Sequence, residues 1–445
     1  MGNLFGTDGV RGVYGTELTD DIALKLGYYG TKVLSEGGKK PKIVIGMDTR
    51  ESGVPLEKAL CDGISAADGD VMLAGVIPTP AVAVLTRVLG ADAGIVISAS
   101  HNPYEYNGIK FFSSEGYKLP DAVEDEIEAH ISADHDDIVP KDNHVHRIED
   151  PAGIYAKSVL SGDHADLSGM KIIIDCANGA SVMTAPAYFE ASGADLTVIG
   201  DKPDGRNINL GCGSTHLDKL AEAVVKEGAD IGIAFDGDAD RCLAVDEKGG
   251  EIDGDMIINL LAGALKEQGE LVQDTAVVTV MSNLGLHKAL AAKGIKSVQT
   301  AVGDRYVLEE MLDKGYILGG EQSGHIIMLK RNTTGDGLLT ASLLTDMLGR
   351  SDKSASELAS EMTVYPQVLV NAQVPNSKKY SYTDDDVIMD KISRIEDHFE
   401  GSGRVLIRPS GTEPLVRVMI EGEDQSELEA IAGDLGSLIE ERLAD

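Results

Sequence analysis

The sequence predicts an α/β fold, with three similar α/β domains whose largely parallel, mixed sheets lie between helices, and a C-terminal α+β domain. Three observations carry this expectation. A strand–helix–strand–helix–strand pattern recurs three times, opening at Lys42, Lys171 and Thr275. Each copy closes on a small polar loop. The residues from about 366 onward leave the pattern. Strands alternating with helices build parallel sheets covered on both faces, and 445 residues exceed what one core holds.

In the first copy, K-I-V-I-G-M-D is a short apolar run of strand length, from Lys42. A helix-length segment follows at 54–67 and a second apolar run at 71–77. The next helix starts behind Thr79-Pro80, read as an N-cap threonine with proline in the first turn. A third strand, Gly94–Ser98, completes the unit, and G-I-K-F-F-S-S-E-G-Y-K-L-P behind its loop reads as a hairpin. The second copy places a helix at 180–192, a strand at 195–199, a helix behind Thr215 and a third strand at Ile231–Asp236, again with a hairpin. The third has a helix at 284–293, a strand at 297–302, a helix near Gly303-Asp304 and a strand at Tyr316–Glu321, with a looser hairpin. The last segment carries strands near 404–408 and 415–420 and a helix from about 425 to the end. The expected domains are 1–150, 151–252, 253–365 and 366–445.

The loops carry the chemistry. The first, S-A-S-H-N-P, presents Ser98, Ser100 and His101 beyond a buried strand, where a serine faces the crevice at a sheet's carboxyl edge. Ser, Asn and Pro are also ordinary turn residues. The second, F-D-G-D-A-D-R, sets Asp236, Asp238 and Asp240 at alternate positions before Arg241. Three carboxylates so spaced repel unless something neutralises them, and oxygen-only ligation suits Mg²⁺ or another hard cation. A D-x-D-x-D run also occurs in calcium loops, but here the run ends in Arg241. The third, G-G-E-Q-S-G-H-I, offers Glu321 and Ser323 for vicinal sugar hydroxyls, with His325 behind. In the last segment, R-P-S-G-T-E-P between Arg408 and Arg417 offers Ser410, Gly411 and Thr412 to an anion, with arginines suited to bidentate phosphate contacts.

The net charge of −35 argues against nucleic acid and anionic membrane surfaces as partners. It reads as a solvated acidic surface, with a high-salt habitat as the rival explanation. Cys61, Cys176, Cys212 and Cys242 have no paired spacing, which fits reduced thiols in a cytoplasmic protein. No stretch approaches a membrane span, and the N-terminus has no secretion core.

Together the four loops resemble the α-D-phosphohexomutase superfamily, from Phe5 to the last helix. The start F-G-T-D-G-V-R-G, the form S-A-S-H-N-P and the form G-E-Q-S-G-H are similar to the members that act on amino sugars. The resemblance implies four domains around a central cleft, the fourth mobile. It implies conversion of glucosamine 6-phosphate to glucosamine 1-phosphate, on the route to UDP-N-acetylglucosamine, with the 1,6-bisphosphate (of glucosamine or glucose) as intermediate or activator. Ser100 would be the phosphoserine, sharing one Mg²⁺ with Asp236, Asp238 and Asp240. Glu321 and Ser323 would hold sugar hydroxyls, and Arg408, Ser410, Gly411, Thr412 and Arg417 the substrate phosphate. Arg11, His101, Lys110, Arg241 and His325 match positions lining the reaction centre; Asp304 and Gln322 are weaker correspondences. Lys110, expected to have a pKa lowered by cationic neighbours, is the first candidate for general base and His325 the rival. A homodimer through the first domain is expected by analogy. The alternatives are a phosphoglucomutase or phosphomannomutase on the same scaffold, a metal-dependent phosphatase, and a non-catalytic sugar-phosphate binder.

Overall fold

A computed structural model describes residues 4–6, 8–35, 40–133, 137–141, 145–162, 164–410 and 413–444. Gly411 and Thr412, two of the expected clamp residues, lie outside the described residues. The chain forms two compact units, 1–281 with 294–361, and 282–293 with 362–445.

The larger unit holds three sheets built on one plan. In the first, strands Tyr106–Ser113, Ala93–Ile97, Lys42–Met47 and Asp70–Val76 lie side by side in that order. The second repeats the order with Cys242–Asp246, Ile231–Phe235, Lys171–Asp175 and Asp195–Ile199. The third repeats it with Ile326–Met328, Leu318–Gly320, Thr275–Thr279 and Lys296–Thr300. In each, the first strand pairs in parallel with the second and third, and the third pairs antiparallel with the hairpin strand. The threefold repeat therefore extends to register, including the third hairpin that was hardest to read. Central strands such as Ala93–Ile97 and Ile231–Phe235 are buried along their whole length, as expected of strands covered on both faces.

Two expected elements differ. The helix expected at 180–192 is a 3₁₀ turn, Ala180–Met183, followed by a helix at Ala185–Ala191. Pro186, which lacks an N–H, starts a new helix rather than continuing one. Thr79 does not cap its helix: Pro78 occupies the cap position and no side chain caps it. The threonine hydroxyl is engaged elsewhere, as described below.

The smaller unit is a three-stranded antiparallel sheet, in the order Gln367–Gln373, Leu415–Glu421, Arg404–Pro409, packed by helices Asp386–Phe399 and Gln425–Leu443. The first of these strands and the first helix were not predicted. Gln367–Gln373 is mostly exposed or half-exposed along its length, so its apolar signal is weak. The helix was legible, because Ile388, Ile392, Ile395 and Phe399 recur at helical spacing and are buried. No described helix is long and apolar enough to cross a membrane.

Candidate active site

The serine loop leaves the strand Ala93–Ile97 and returns as the strand Tyr106–Ser113. Ser100 sits at its tip with φ +50°, a left-handed conformation unusual for a residue with a Cβ. Donors from two sides hold it there. Its carbonyl oxygen accepts from the Arg50 guanidinium at 3.1 Å and from Asn209 Nδ2 at 2.9 Å, while its N–H donates to Ser98 Oγ at 2.9 Å. Arg50 is wholly buried and paired with Asp48, so its position is fixed in turn.

The acidic loop approaches from the second sheet. Ser100 Oγ donates to Asp236 Oδ2 at 2.6 Å. The approach requires the glycine of F-D-G-D, since a Cβ on Gly237 would lie 2.6 Å from the Ser100 carbonyl oxygen. Asp236, Asp238 and Asp240 are all buried, each with an oxygen within 4.8 Å of the others'. Burial first, then Asp240 and Asp238, pushes the Asp236 carboxyl well above its usual range. Asp238 is held low: burial would raise it, but Lys110 and the Thr79 hydroxyl outweigh that. Asp238 Oδ1 and Asp240 Oδ1 are buried without a hydrogen-bond partner. Two orphaned carboxylate oxygens beside a third buried carboxylate fit a divalent cation with oxygen ligands.

A cavity of about 440 Å³ opens above the trio. Arg11, Ser100, Asp240, Arg241, Glu321 and His325, all anticipated from the sequence, line it. Asp8 and Asp304 line it too. Lys110 lies behind, buried, with Nζ 3.0 Å from Asp238 Oδ2 and 3.0 Å from Asp8 Oδ2. The expectation of a lowered Lys110 pKa is overturned. Burial would lower it, but Asp238 and Asp8 outweigh burial and raise it, because its nearest neighbours are carboxylates and not cations.

His325 lies between two carboxylates, with Nδ1 3.5 Å from Asp240 and Nε2 3.4 Å from Asp304. Burial would lower its pKa, and Asp240 with Asp304 pushes it up to about 9. The Gly335 N–H, however, points at Nε2 from 3.1 Å and requires that nitrogen to be unprotonated. The backbone donor is the stronger guide to the ring, because Asp304 is already neutralised by Lys118. The neutral tautomer then carries its proton on Nδ1, toward Asp240.

The other residues divide. Glu321 lines the cavity and accepts from the Gly303 N–H at 3.0 Å. Ser323 is not among the lining residues, and its hydroxyl is buried without a partner. Gln322 donates to Asp253 at 3.0 Å, so its amide supports a helix start and does not face the cavity. His101 touches Ser100 Oγ at 3.4 Å but lines a second cavity, with Arg206 and His216. Its pKa is lowered by burial, then by Arg241 and Arg11.

Sequence reasoning missed Asp8, Lys118, Thr79, Arg50 and Asn209. Asp8 could have been found, because it sits three residues before Arg11 in the G-T-D-G-V-R-G motif and pairs with it. The other four lie in segments with no local chemical signature.

In the smaller unit, Arg408 and Arg417 are directly opposite on paired strands. Burial first, then Arg417, lowers the Arg408 pKa. Like charges opposite each other are unfavourable unless an anion joins them. Arg417 meets Glu413 at 3.0 Å, and Ser410 Oγ accepts from the Glu413 N–H at 3.1 Å. The Lys379 ammonium donates to the Ser410 carbonyl oxygen from a buried position.

Family models described as phosphoglucomutase/phosphomannomutase match residues 2–137 (alpha/beta/alpha domain I), 153–250 (domain II), 253–365 (domain III) and 369–436 (C-terminal domain). A phosphoglucosamine mutase of Clostridium acetobutylicum is 56% identical over 446 residues, 99% of this chain and 100% of the relative. The chain belongs to the phosphoglucosamine mutase family. Among solved structures, a phosphoglucomutase/phosphomannomutase family protein of Burkholderia thailandensis is 26% identical with a TM-score of 0.81, over 99% of this chain and 97% of that one. An N-acetylphosphoglucosamine mutase of Aspergillus fumigatus, solved with GlcNAc-6P and magnesium, shares the fold at 18% identity and a TM-score of 0.65, over 99% and 96% of the two chains. Membership of the family makes this chain an isomerase of phosphosugars, and a four-domain α/β architecture agrees with the sheets described above.

Proposed function

We propose that Ser100 carries the phosphoryl group through which this enzyme interconverts glucosamine 6-phosphate and glucosamine 1-phosphate. The observation that carries the reading is the 2.6 Å contact of Ser100 Oγ with Asp236, which sets a strained serine against three buried carboxylates. A phosphorylated Ser100 bears roughly two negative charges. Arg11 and Arg241, on the wall of the same cavity, are placed to spread that charge as the phosphoryl group moves. Asp236, Asp238, Asp240 and Ser100 would hold one Mg²⁺ per chain, and the orphaned carboxylate oxygens support that choice. Bound there, the ion supplies Lewis-acid stabilisation of the phosphoryl oxygens.

In the first half-reaction the sugar 1-hydroxyl attacks phosphorus. The Ser100 Oγ–P bond breaks, the sugar O–P bond forms, and the hydroxyl proton passes to a base. The 1,6-bisphosphate then turns over, and the second half-reaction returns its 6-phosphoryl group to Ser100 as a proton goes to the 6-oxygen. Lys110 stands charged, the form that donates to a leaving sugar oxygen; having given its proton, it is the base for the opposite direction. His325, on the cavity wall, is the second acid/base candidate. Glu321 holds sugar hydroxyls. Arg408, Ser410 and Arg417 grip the phosphate that is not reacting, with Gly411 and Thr412 assigned to the same clamp by motif alone. The domains proposed are 1–150, 151–252, 253–365 and 366–445, supported by the matched segments. A homodimer through the first domain is proposed by analogy, and a cytoplasmic location is supported by four cysteines that form no disulfide.

Peptide mass spectrometry after incubation with glucose 1,6-bisphosphate should find phosphate on Ser100. Ser100→Ala should turn over glucosamine phosphates slower by on the order of a thousandfold or more. Near-normal turnover by that variant overturns the reading. Comparing kcat/KM on glucosamine, glucose and mannose phosphates tests the sugar.

A further inference from the structure

A second set of charges, alternating in sign from Lys110 to Asp304, runs behind the reaction cavity and ends against the His325 ring. Lys110 Nζ lies 3.0 Å from Asp8 Oδ2. Asp8 Oδ1 accepts from Lys118 Nζ at 2.6 Å. Lys118 also donates to Asp304, whose Oδ2 lies 3.4 Å from His325 Nε2. The chain Lys110–Asp8–Lys118–Asp304–His325 joins the N-terminal loop, the hairpin behind the serine loop, the start of the helix Asp304–Lys314 and the third polar loop. Lys118 is its middle member. It does not line the reaction cavity, and only 16% of its side chain is exposed.

We infer that Lys118 is a positioning residue: by tying Asp8 to Asp304 it fixes Lys110 and His325, the two acid/base candidates, at set places around the cavity. The inference rests on the roles proposed for those two residues. A compact ammonium with three rotatable donors can satisfy two carboxylates lying in different directions. Burial would discharge it, yet Asp304 and Asp8 outweigh burial and keep it charged. Without it, two largely buried carboxylates lose their shared counter-charge. Asp8 then turns wholly to Arg11 and Lys110, and the uncompensated Asp304 carboxylate faces the lone pair of His325 Nε2 and displaces the ring. Both acid/base candidates move, although neither has been altered.

The experiment is single-turnover transfer from phosphorylated enzyme to glucosamine 6-phosphate, followed by quench-flow, beside steady-state KM and the melting temperature. Lys118→Met should slow transfer on the order of 10- to 100-fold with KM within about twofold of wild type. Lys118→Arg, which keeps the charge, should recover part of the rate. Asp304→Asn alone should also slow transfer, and in the double variant the two losses should not multiply, because the chain acts as a unit. Lys118→Gln supplies the same readings should the methionine variant not fold. Wild-type transfer rates in Lys118→Met or Lys118→Gln, with only the melting temperature lowered, overturn the inference and leave an ion pair that serves stability alone. Fully multiplicative losses overturn it as well. If wild-type Ser100 holds no transferable phosphate, the proposed function falls together with this inference; if it does and the Lys118 variants are unaffected, this inference falls alone.

Discussion

Thr79 donates twice to Asp238. Its backbone N–H reaches the aspartate's carbonyl oxygen at 2.9 Å, and its hydroxyl reaches Oδ2 at 2.7 Å. The helix of the first repeat thus begins on the acidic loop of the second. The same Oδ2 accepts from Lys110 at 3.0 Å, which leaves only Oδ1 of Asp238 free to face a cation. Thr79 therefore sets which oxygen of the carboxylate is available.

Thr79→Val keeps the shape and removes the hydroxyl. It should cost about 1–3 kcal/mol of stability, since a buried carboxylate oxygen loses a donor. It should also weaken Mg²⁺ activation, because Asp238 Oδ2 then keeps only Lys110 of the two side-chain donors that orient it. Thr79→Ser should restore both. Magnesium titrations of kcat, alongside urea denaturation, check this; an unchanged magnesium dependence would refute the orienting role.

Metal should stabilise as well as activate. If Mg²⁺ binds the folded trio and not the unfolded chain, as proposed, adding it should raise the melting temperature. It should also lower the Asp236 pKa, which burial and its two acidic neighbours push up. Chelator should abolish turnover, and Asp238→Asn should remove the thermal response along with most of kcat. Full activity in metal-free buffer contradicts the assignment.

The clamp proposed around Arg408 and Arg417 would have to read phosphate and not the sugar ring, since it would hold opposite ends of the sugar in the two half-reactions. Arg417→Ala should raise KM for both phosphate isomers and lower kcat. It should also increase escape of the 1,6-bisphosphate, which nothing would then hold between half-reactions. Trapping the released bisphosphate measures this. If KM, kcat and escape all stay unchanged, Arg417 is not part of the clamp.

Acid should loosen the cavity wall through Asp8. Burial would raise its carboxyl, but Lys110, Lys118 and Arg11 outweigh burial and hold it well below the ordinary 3.8. A carboxyl with a folded pKa below its unfolded one contributes stability that is complete above the unfolded value and is lost as pH falls through the folded one. Stability should therefore fall below about pH 4 more steeply in wild type than in Asp8→Asn. Denaturation midpoints across pH 2.5–6 give the slopes, and equal slopes would show that Asp8 contributes nothing.

Much of this was legible in the sequence. Local composition fixed the buried strands, the position of Ser100 just beyond one of them, and the alternate spacing of Asp236, Asp238 and Asp240. These depend on neighbours along the chain: apolar runs of strand length, turn residues, and charges too close to tolerate without a counter-ion. Tertiary structure decided what comes from far away in sequence. The pKa of Lys110 rises and does not fall because Asp238, 128 residues away, and the side chain of Asp8 face it. Gln322, prominent in its motif, turns to Asp253, whereas Thr79, read as a helix cap, turns to Asp238 in the acidic loop. Spacing along a strand or helix fixes which side chains share a face. The charge a side chain holds depends on which groups the fold brings within a few ångströms, and a linear pattern does not record that distance.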